Sequence, residues 1–388
     1  MKAKLGDPWE VQQRQWRDPA QVAAQWEEAG NLDPRLLECE VEGPFWRTLA
    51  AAGVTVLLTR EYEHLVVALG APRGRPRISY LRLPHPSGLA VDRKRGIVHV
   101  ASTRNPNQVY DLAPASGMQA RLDSPRGGSP GPVLLPRRVR FYPGSCYFHD
   151  LALIQGRLHA NAVGHNAVVR LPDEGGFKRV WWPRCIDREN GPLFGRNHLQ
   201  LNSIAAGPDL AGSFFSASSG MIRGTRPGDI KFPVDGTGVI FSGRTREVLA
   251  SGLTRPHSAR LRHGRLWVDN SGYGEVGVIR DGRLEVLRRL PGWTRGLGFW
   301  GGLALVGTSR VIPRFRAYAP GLDVDASRCG LHLLDAKDGR SLGSLYWPYG
   351  NQIFAIEAVP ESFTTGLPFD AQRPDPEAAK RLFYAYQA

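Results

Sequence analysis

One phrase recurs along this chain and limits what it can fold into. It runs from a polar or histidine-bearing start through a short apolar strand and a glycine-centred turn to a second apolar strand ending in small polar residues. It reads HDLALIQGRLHANAVGHNAVVRL from His149 and PHSARLRHGRLWVDNSGYGEVGVI from Pro256. Weaker copies read HPSGLAVDRKRGIVHVASTRNPNQVYDL from His85 and TRGLGFWGGLALVGTSRV from Thr294. Self-similarity built from strand-length units signals a β-propeller, because one unit cannot bury its apolar face alone and must stack on its neighbours. The expected fold is all-β, a six-bladed β-propeller. In such a ring His85, His149 and His257, distant in sequence, become neighbours at the mouth of one central channel.

The segments VTVLLT, HLVVAL and ISYLRL from Val54 onward read as a blade without its inner strand. QIFAIEAV at 352–359 supplies that strand, so N- and C-terminal strands close the ring and remove an exposed sheet edge. The other blades start near His85, Phe148, His198, Pro256 and Trp293. A seventh arises only if the insert 113–145 forms strands of its own. Residues 1–52 form a helical N-terminal extension: DPAQVAAQWEEAG carries helix start and stop signals, and DPRLLECEVEGPFWRTLAAAG reads as a second helical stretch closing at Gly53. The propeller spans 53–360, and 361–388 is a tail whose AAKRLFYAYQA reads as a short helix. The Gly/Pro/Ser-rich stretch 113–133 reads as a loop. Segments 184–200, 218–237 and 309–328 are long connections of the kind that wall a pocket.

Several function classes are excluded. No run approaches the roughly 18 apolar residues that cross a bilayer, and the start lacks the apolar core of a secretory signal. The four cysteines have no CxxC spacing, so a reduced, cytoplasmic protein is expected. The net charge of +14 is carried by arginines scattered through every blade, without interleaved stacking aromatics. It points to anionic small molecules rather than to nucleic acid. There is no GxGxxG between a strand and a helix, no Walker A, no HExxH and no GxSxG, which excludes a nucleotide-cofactor enzyme.

Aligning the inner strands by their apolar cores places Ser87, His149, Asn202, His257, Arg295 and Asn351 at equivalent starts. His149 reads as a general base with Asp150 orienting it, since imidazole titrates near neutrality. His257 and His85 supply a second acid, and Arg295 holds an anionic group. Arg104 and Arg310 clamp a carboxylate or phosphate, with Asn202, Asn270, Tyr273 and Asn351 as further substrate contacts. Alternatively His85, His149, His198 and His257 converge on Zn²⁺, Fe²⁺ or Mn²⁺, or the histidines only hydrogen-bond backbone and water. His99, His159 and His263 read as structural, and His64 and His332 as ordinary strand residues. Alternation along a strand leaves open which of these side chains point inward.

The order GVTVLLTREYEHLVVALG, PHPSGLAVD, YPGSCYFHDLALIQGRLHANAVGHNAVVRL resembles a bacterial family of conserved hypothetical propeller proteins over residues 45–360. As a fold it also resembles the gluconolactonase/strictosidine-synthase superfamily of six-bladed propellers. The lactonase branch implies a channel metal held by carboxylates and asparagines, for which Asp150, Asn202 and either Glu61 or Glu357 stand at comparable places. The neighbouring histidine, serine and arginine depart from that oxygen-rich pattern and make Ca²⁺ the less favoured ion. The other branch implies an acidic residue in a shaped pocket without metal. Together these readings give an enzyme, hydrolase or isomerase/cyclase, acting on a small organic anion in the central channel. The alternative is a non-catalytic ligand- or protein-binding propeller, with 184–200 and 309–328 as its protein-binding face.

Overall fold

Each copy of the recurring phrase forms the first two strands of an antiparallel blade, and there are six such blades, four of four strands and two extended to five. The computed structural model describes residues 19–104, 107–115, 117–118, 131–142, 144–371 and 386–387. The inner strands are Ile356–Pro360, Pro86–Asp92, Phe148–Ile154, Leu201–Ala205, Pro256–Arg262 and Trp293–Trp300, and each lies against the next around the ring. The ring closes where Ile356–Pro360 pairs antiparallel with Val54–Arg60, Val56 facing Ala358. Chain ends thus share one blade, and no inner sheet edge is left open.

Burial explains why six separate sheets hold together. Every seam between adjacent blades contains its own apolar cluster. Leu57, Leu81, Leu89 and Val100 fill the seam between the closing blade and the next. Leu305, Leu331, Ile353 and Ile356 fill the seam on its other side. A fully buried side chain of this kind contributes about 1.5–3 kcal/mol, and both faces of every sheet are used. The cores lie between blades, so the axis itself is left to polar groups.

Two expectations about connections are corrected. Residues 33–53 are not one helical stretch. Pro34–Leu37 is a 3-10 turn, Glu40–Glu42 adds a fifth strand outside Ser341–Tyr346, and only Phe45–Ala52 is helical, ended by Gly53 at φ 57°. The cause is local: Glu-Val-Glu alternates as a strand does, and Gly43-Pro44 separates it from the helix. Residues 113–145 do form strands, but these complete the second blade as Asn107–Ala115 and Val133–Tyr142 rather than making a seventh. Most of the Gly/Pro/Ser-rich loop and most of the tail lie outside the described residues. Tyr386–Gln387 is extended and pairs with Gly117–Met118, not helical.

The N-terminal helix Pro19–Gly30 lies across the closing blade and its neighbour. Arg82 donates to the Gly30 carbonyl at 2.6 Å, and Trp26 meets Tyr110 edge-on at 6.1 Å. No helix among the described residues is long and apolar enough to cross a membrane.

A bulge at five of the six inner-strand starts positions the site. Register slips after Pro86, Phe148, Leu201, His257 and Thr294. At the third blade, for example, Phe148 faces Ala162 and Leu151 faces Ala160, so His149 and Asp150 share one partner residue. A bulge re-aims the side chains it contains. Just before four of these strands, His85, Tyr147, Gln200 and Arg255 take φ of 43°, 52°, 54° and 53°. That left-handed step, uncommon outside glycine, recurs at the face where the inner strands begin.

Candidate active site: an arginine-rich cavity at the blade starts

On that face the blades surround a cavity of about 570 Å³, lined by residues from strand starts and from the inserts 218–237 and 309–328. Five arginines border it (Arg104, Arg226, Arg255, Arg295 and Arg314) against two carboxylates, Glu61 and Asp229. Asp229 is committed to Arg226 through an ion pair at 3.6 Å and a backbone hydrogen bond at 2.7 Å. Glu61 accepts from Thr103 Oγ1 at 2.5 Å. Tyr62, Tyr147, Trp293, Phe315 and Tyr318 supply flat apolar wall.

Arg295 forms the floor. Its Nη2 lies 3.1 Å from His257 Nε2 and 3.5 Å from His149 Nε2. Its guanidinium stacks 4.1 Å from the Phe354 ring centroid. The Gln352 amide, oriented to satisfy both its atoms, accepts from Arg295 Nη1 and donates to Glu61 Oε2 at 3.1 Å. Arg295 forms no ion pair with a carboxylate among the described residues. A buried guanidinium without a direct counter-ion is costly, and burial lowers its pKa.

Both imidazoles are neutral at neutral pH. Burial first, and then the charge of Arg295, push His149 down to about 3 and His257 well below its ordinary value. His149 Nδ1 donates to the Asn202 carbonyl at 3.0 Å. His257 Nδ1 meets Ser258 Oγ at 2.8 Å, and that oxygen also accepts from the Gly296 amide. Behind them Asp269 is fully buried beside Ser258 and Arg260. Burial raises its carboxyl well above the usual range, opposed by Ser258 and Arg260.

Arg255 is the second buried cation. It stacks 3.8 Å from the Tyr318 ring, donates to the Pro227 carbonyl, and approaches Ser218 Oγ at 3.4 Å. Burial lowers its pKa to about 10, so it stays charged at neutral pH. Arg314 lies 4.7 Å from the ring centroids of both Tyr62 and Phe315, which stack on each other at 6.2 Å.

Of the residues singled out from sequence, His149, His257, Arg295, Arg104 and Asn202 line this cavity. Asp150 does not orient His149. Its carboxylate accepts from the Leu151 and Ile204 amides and pairs with Arg260 at 2.8 Å, because the bulge turns it away from the cavity. Asn270 accepts from the Thr254 amide and donates to Glu275, holding the turn before Arg255. Tyr273 turns outward to Asp235 at 3.0 Å. Arg310 and Asn351 sit together beside the cavity, joined by a backbone hydrogen bond, and line a separate crevice.

The four-histidine set does not assemble. Arg295 lies against both Nε2 atoms of His149 and His257 and repels a cation there. His85 faces His64 and Glu28 instead, and His198 is outside the cavity lining. An oxygen-rich set built on Asp150 and Asn202 does not fit either, since the Asn202 amide donates to Ser218 Oγ and the Pro256 carbonyl while Asp150 is held by Arg260. Arg255, Arg226, Arg314, Gln200 and Tyr318 went unnoticed in the sequence. Only Gln200 and Arg255 carried a signal, as residues immediately before an inner-strand start.

A family model described as a domain of unknown function, DUF4915, matches residues 43–366, and the chain belongs to that family. None of the curated proteins compared with it matches. Among solved structures, it is similar to a chain of the nidogen/laminin complex at 10% identity and TM-score 0.49, covering 79% of this chain and 98% of that one. A protein of unknown function from Bacteroides caccae gives 12% identity, TM-score 0.49 and the same 79% and 98% coverage. A gluconolactonase from Xanthomonas campestris gives 15% identity and TM-score 0.44, over 76% and 86% of the two chains. The six-bladed architecture rests on the sheets described above, not on these likenesses.

Proposed function

We propose that this protein is an enzyme that takes a small organic anion into the cavity and acts on it by histidine acid/base chemistry of the hydrolase or isomerase type. One observation carries the reading: Arg295, buried without a carboxylate ion pair among the described residues, lies against two neutral imidazoles at the floor of a cavity with five arginines and two carboxylates. A substrate carboxylate or phosphate on Arg295 supplies the missing counter-charge. It also offsets one cause of the histidines' depressed basicity, so His149 and His257 become better proton acceptors when the anion is bound. The aromatic wall suits a substrate with a planar or apolar part. The four free cysteines fit a reducing compartment, the cytoplasm.

The test is a thermal-shift screen of small organic carboxylates and phosphates, repeated with Arg295→Gln. A stabilising anion whose effect vanishes in the variant supports the site. Stabilisation that survives Arg295→Gln places the ligand elsewhere and overturns it. Turnover of that ligand, reduced about 10²- to 10⁴-fold in His257→Ala, identifies the enzyme. A ligand bound but returned unchanged selects a non-catalytic binding propeller instead.

A further inference from the structure

The face that carries the cavity has a second cluster, built from residues the proposed chemistry does not use. His64 follows the 3-10 turn Glu61–Glu63 in the left-handed region at φ 56°, and His85 precedes its strand at φ 43°. Their rings meet edge-on at 4.3 Å between centroids. His64 is therefore not an ordinary strand residue: the left-handed step swings it out of the sheet towards His85. Glu28, near the end of the N-terminal helix, completes the group. Its Oε2 lies 3.5 Å from His85 Nε2 and 3.8 Å from His64 Nε2.

We propose that Glu28, His64 and His85 form a divalent-metal site of the zinc class, which clamps the N-terminal helix to the propeller. Donor atoms from the three residues all lie within 4.8 Å of one another. A tetrahedral zinc ion with ligands at about 2.0–2.1 Å spaces them about 3.4 Å apart, close to both carboxylate–imidazole separations. Two imidazoles and one carboxylate form a common zinc donor set, and a solvent molecule completes it. His85 Nδ1 is buried without a partner among the described residues. Nothing there fixes its tautomer, so Nε2 is free to present a lone pair. His64 Nδ1 accepts from the His85 amide at 3.2 Å, and metal capture through His64 Nε2 gives up that long hydrogen bond. Glu28 is well exposed, which leaves a path for the ion.

The consequence is structural. The helix already reaches the ring through Arg82, Trp26 and a Gln108–Gln25 hydrogen bond at 3.3 Å. A metal held jointly by the helix and by two blades adds a cross-link between segments that are distant in sequence. Arg104 borders the cavity and acts electrostatically on both histidines, so the clamp stands at the cavity rim.

Full-length protein stripped with a chelator and titrated with Zn²⁺ alone tests this by calorimetry and by elemental analysis after desalting. Co²⁺ substitution provides a visible-absorption readout of a four-coordinate site. One equivalent is expected in the native protein, weakened at least about tenfold in Glu28→Gln and lost in His85→Asn, which keeps the left-handed backbone. His149→Ala/His257→Ala retains the full equivalent. Glu28 is exposed, so its substitution does not threaten folding and a loss there is specific. The proposal is overturned if native protein takes up no Zn²⁺, or if Glu28→Gln and His85→Asn bind as tightly as native. Loss confined to His149→Ala/His257→Ala overturns it too.

Discussion

Arg295 Nη2 lies 3.1 Å from His257 Nε2 at the floor of the cavity, with His149 Nε2 at 3.5 Å from the same atom. A guanidinium only donates hydrogen bonds, so each imidazole turns a lone pair towards it and carries its proton on Nδ1. The Asn202 carbonyl and Ser258 Oγ stand at those Nδ1 positions. One cation therefore sets the tautomer and holds down the basicity of both candidate catalytic groups.

Replacing Arg295 by glutamine removes the charge that follows burial as the cause of His149's depressed pKa. Its titration, followed by NMR of labelled histidine, is expected to move up from about 3, with His257 moving in the same direction. Unchanged titrations would show that burial alone sets these values.

Acid should destabilise the fold in a window above the carboxylate range. His149 and His332 are lowered to about 3 and His165 to about 4, all mainly by burial, from 6.5. Between those values the unfolded chain binds more protons than the folded one, so stability is full above pH about 6.5 and falls as pH drops towards 4. Asp111 is lowered to about 2 and contributes only below its ordinary value of 3.8. The melting temperature is therefore expected to decline already between pH 6.5 and 4, and a flat profile there would contradict the buried neutral histidines.

A methyl group at Gly88 would stand 2.5 Å from the Leu151 amide nitrogen and 2.6 Å from the Asp150 Cα. Both atoms are backbone in the neighbouring blade, so no side chain can swing aside. Gly88→Ala should cost about 3 kcal/mol, read by chemical denaturation. It should also disturb the adjoining His149 bulge more than a surface substitution does.

Glu63 ties the ring closure to the cavity. Its Oε1 accepts from the Asn351 and Gln352 amides at 2.5 and 3.2 Å and pairs with fully buried Arg60 at 3.4 Å. Arg60 in turn donates to the Leu36 carbonyl and stacks on Trp347. Glu63→Ala leaves a buried guanidinium unpaired, a loss of about 3–5 kcal/mol. Gln352 and Phe354, which contact Arg295, lie on the released segment, so anion binding should weaken along with stability.

The blade starts were legible because each repeats the same sequence of polar residue, apolar strand, glycine turn and apolar strand. The closing strand was legible because the blade from Val54 lacked one. The partners of the start residues were not. Alternation assigns faces only along a regular strand, and the bulges at His149–Asp150 and Ser258–Ala259 break it where the site is built. Asp150 and Arg260 pair across 110 positions, and nothing local to HDLAL announces that. Arg226 and Arg314 come from inserts without the repeat. His64 departs from the strand pattern through one left-handed residue, which composition does not reveal.

The number of blades, their order and the closure of the ring are written in the residues, because burying alternate apolar side chains requires neighbouring blades and is encoded position by position. Folding in three dimensions sets Arg295 against two neutral imidazoles, turns Asp150 to Arg260 and brings Glu28 to His64 and His85. Those relationships depend on bulges, left-handed steps and inserts whose geometry is set by contacts between blades. A strand's own periodicity carries no information about what another blade brings to the axis.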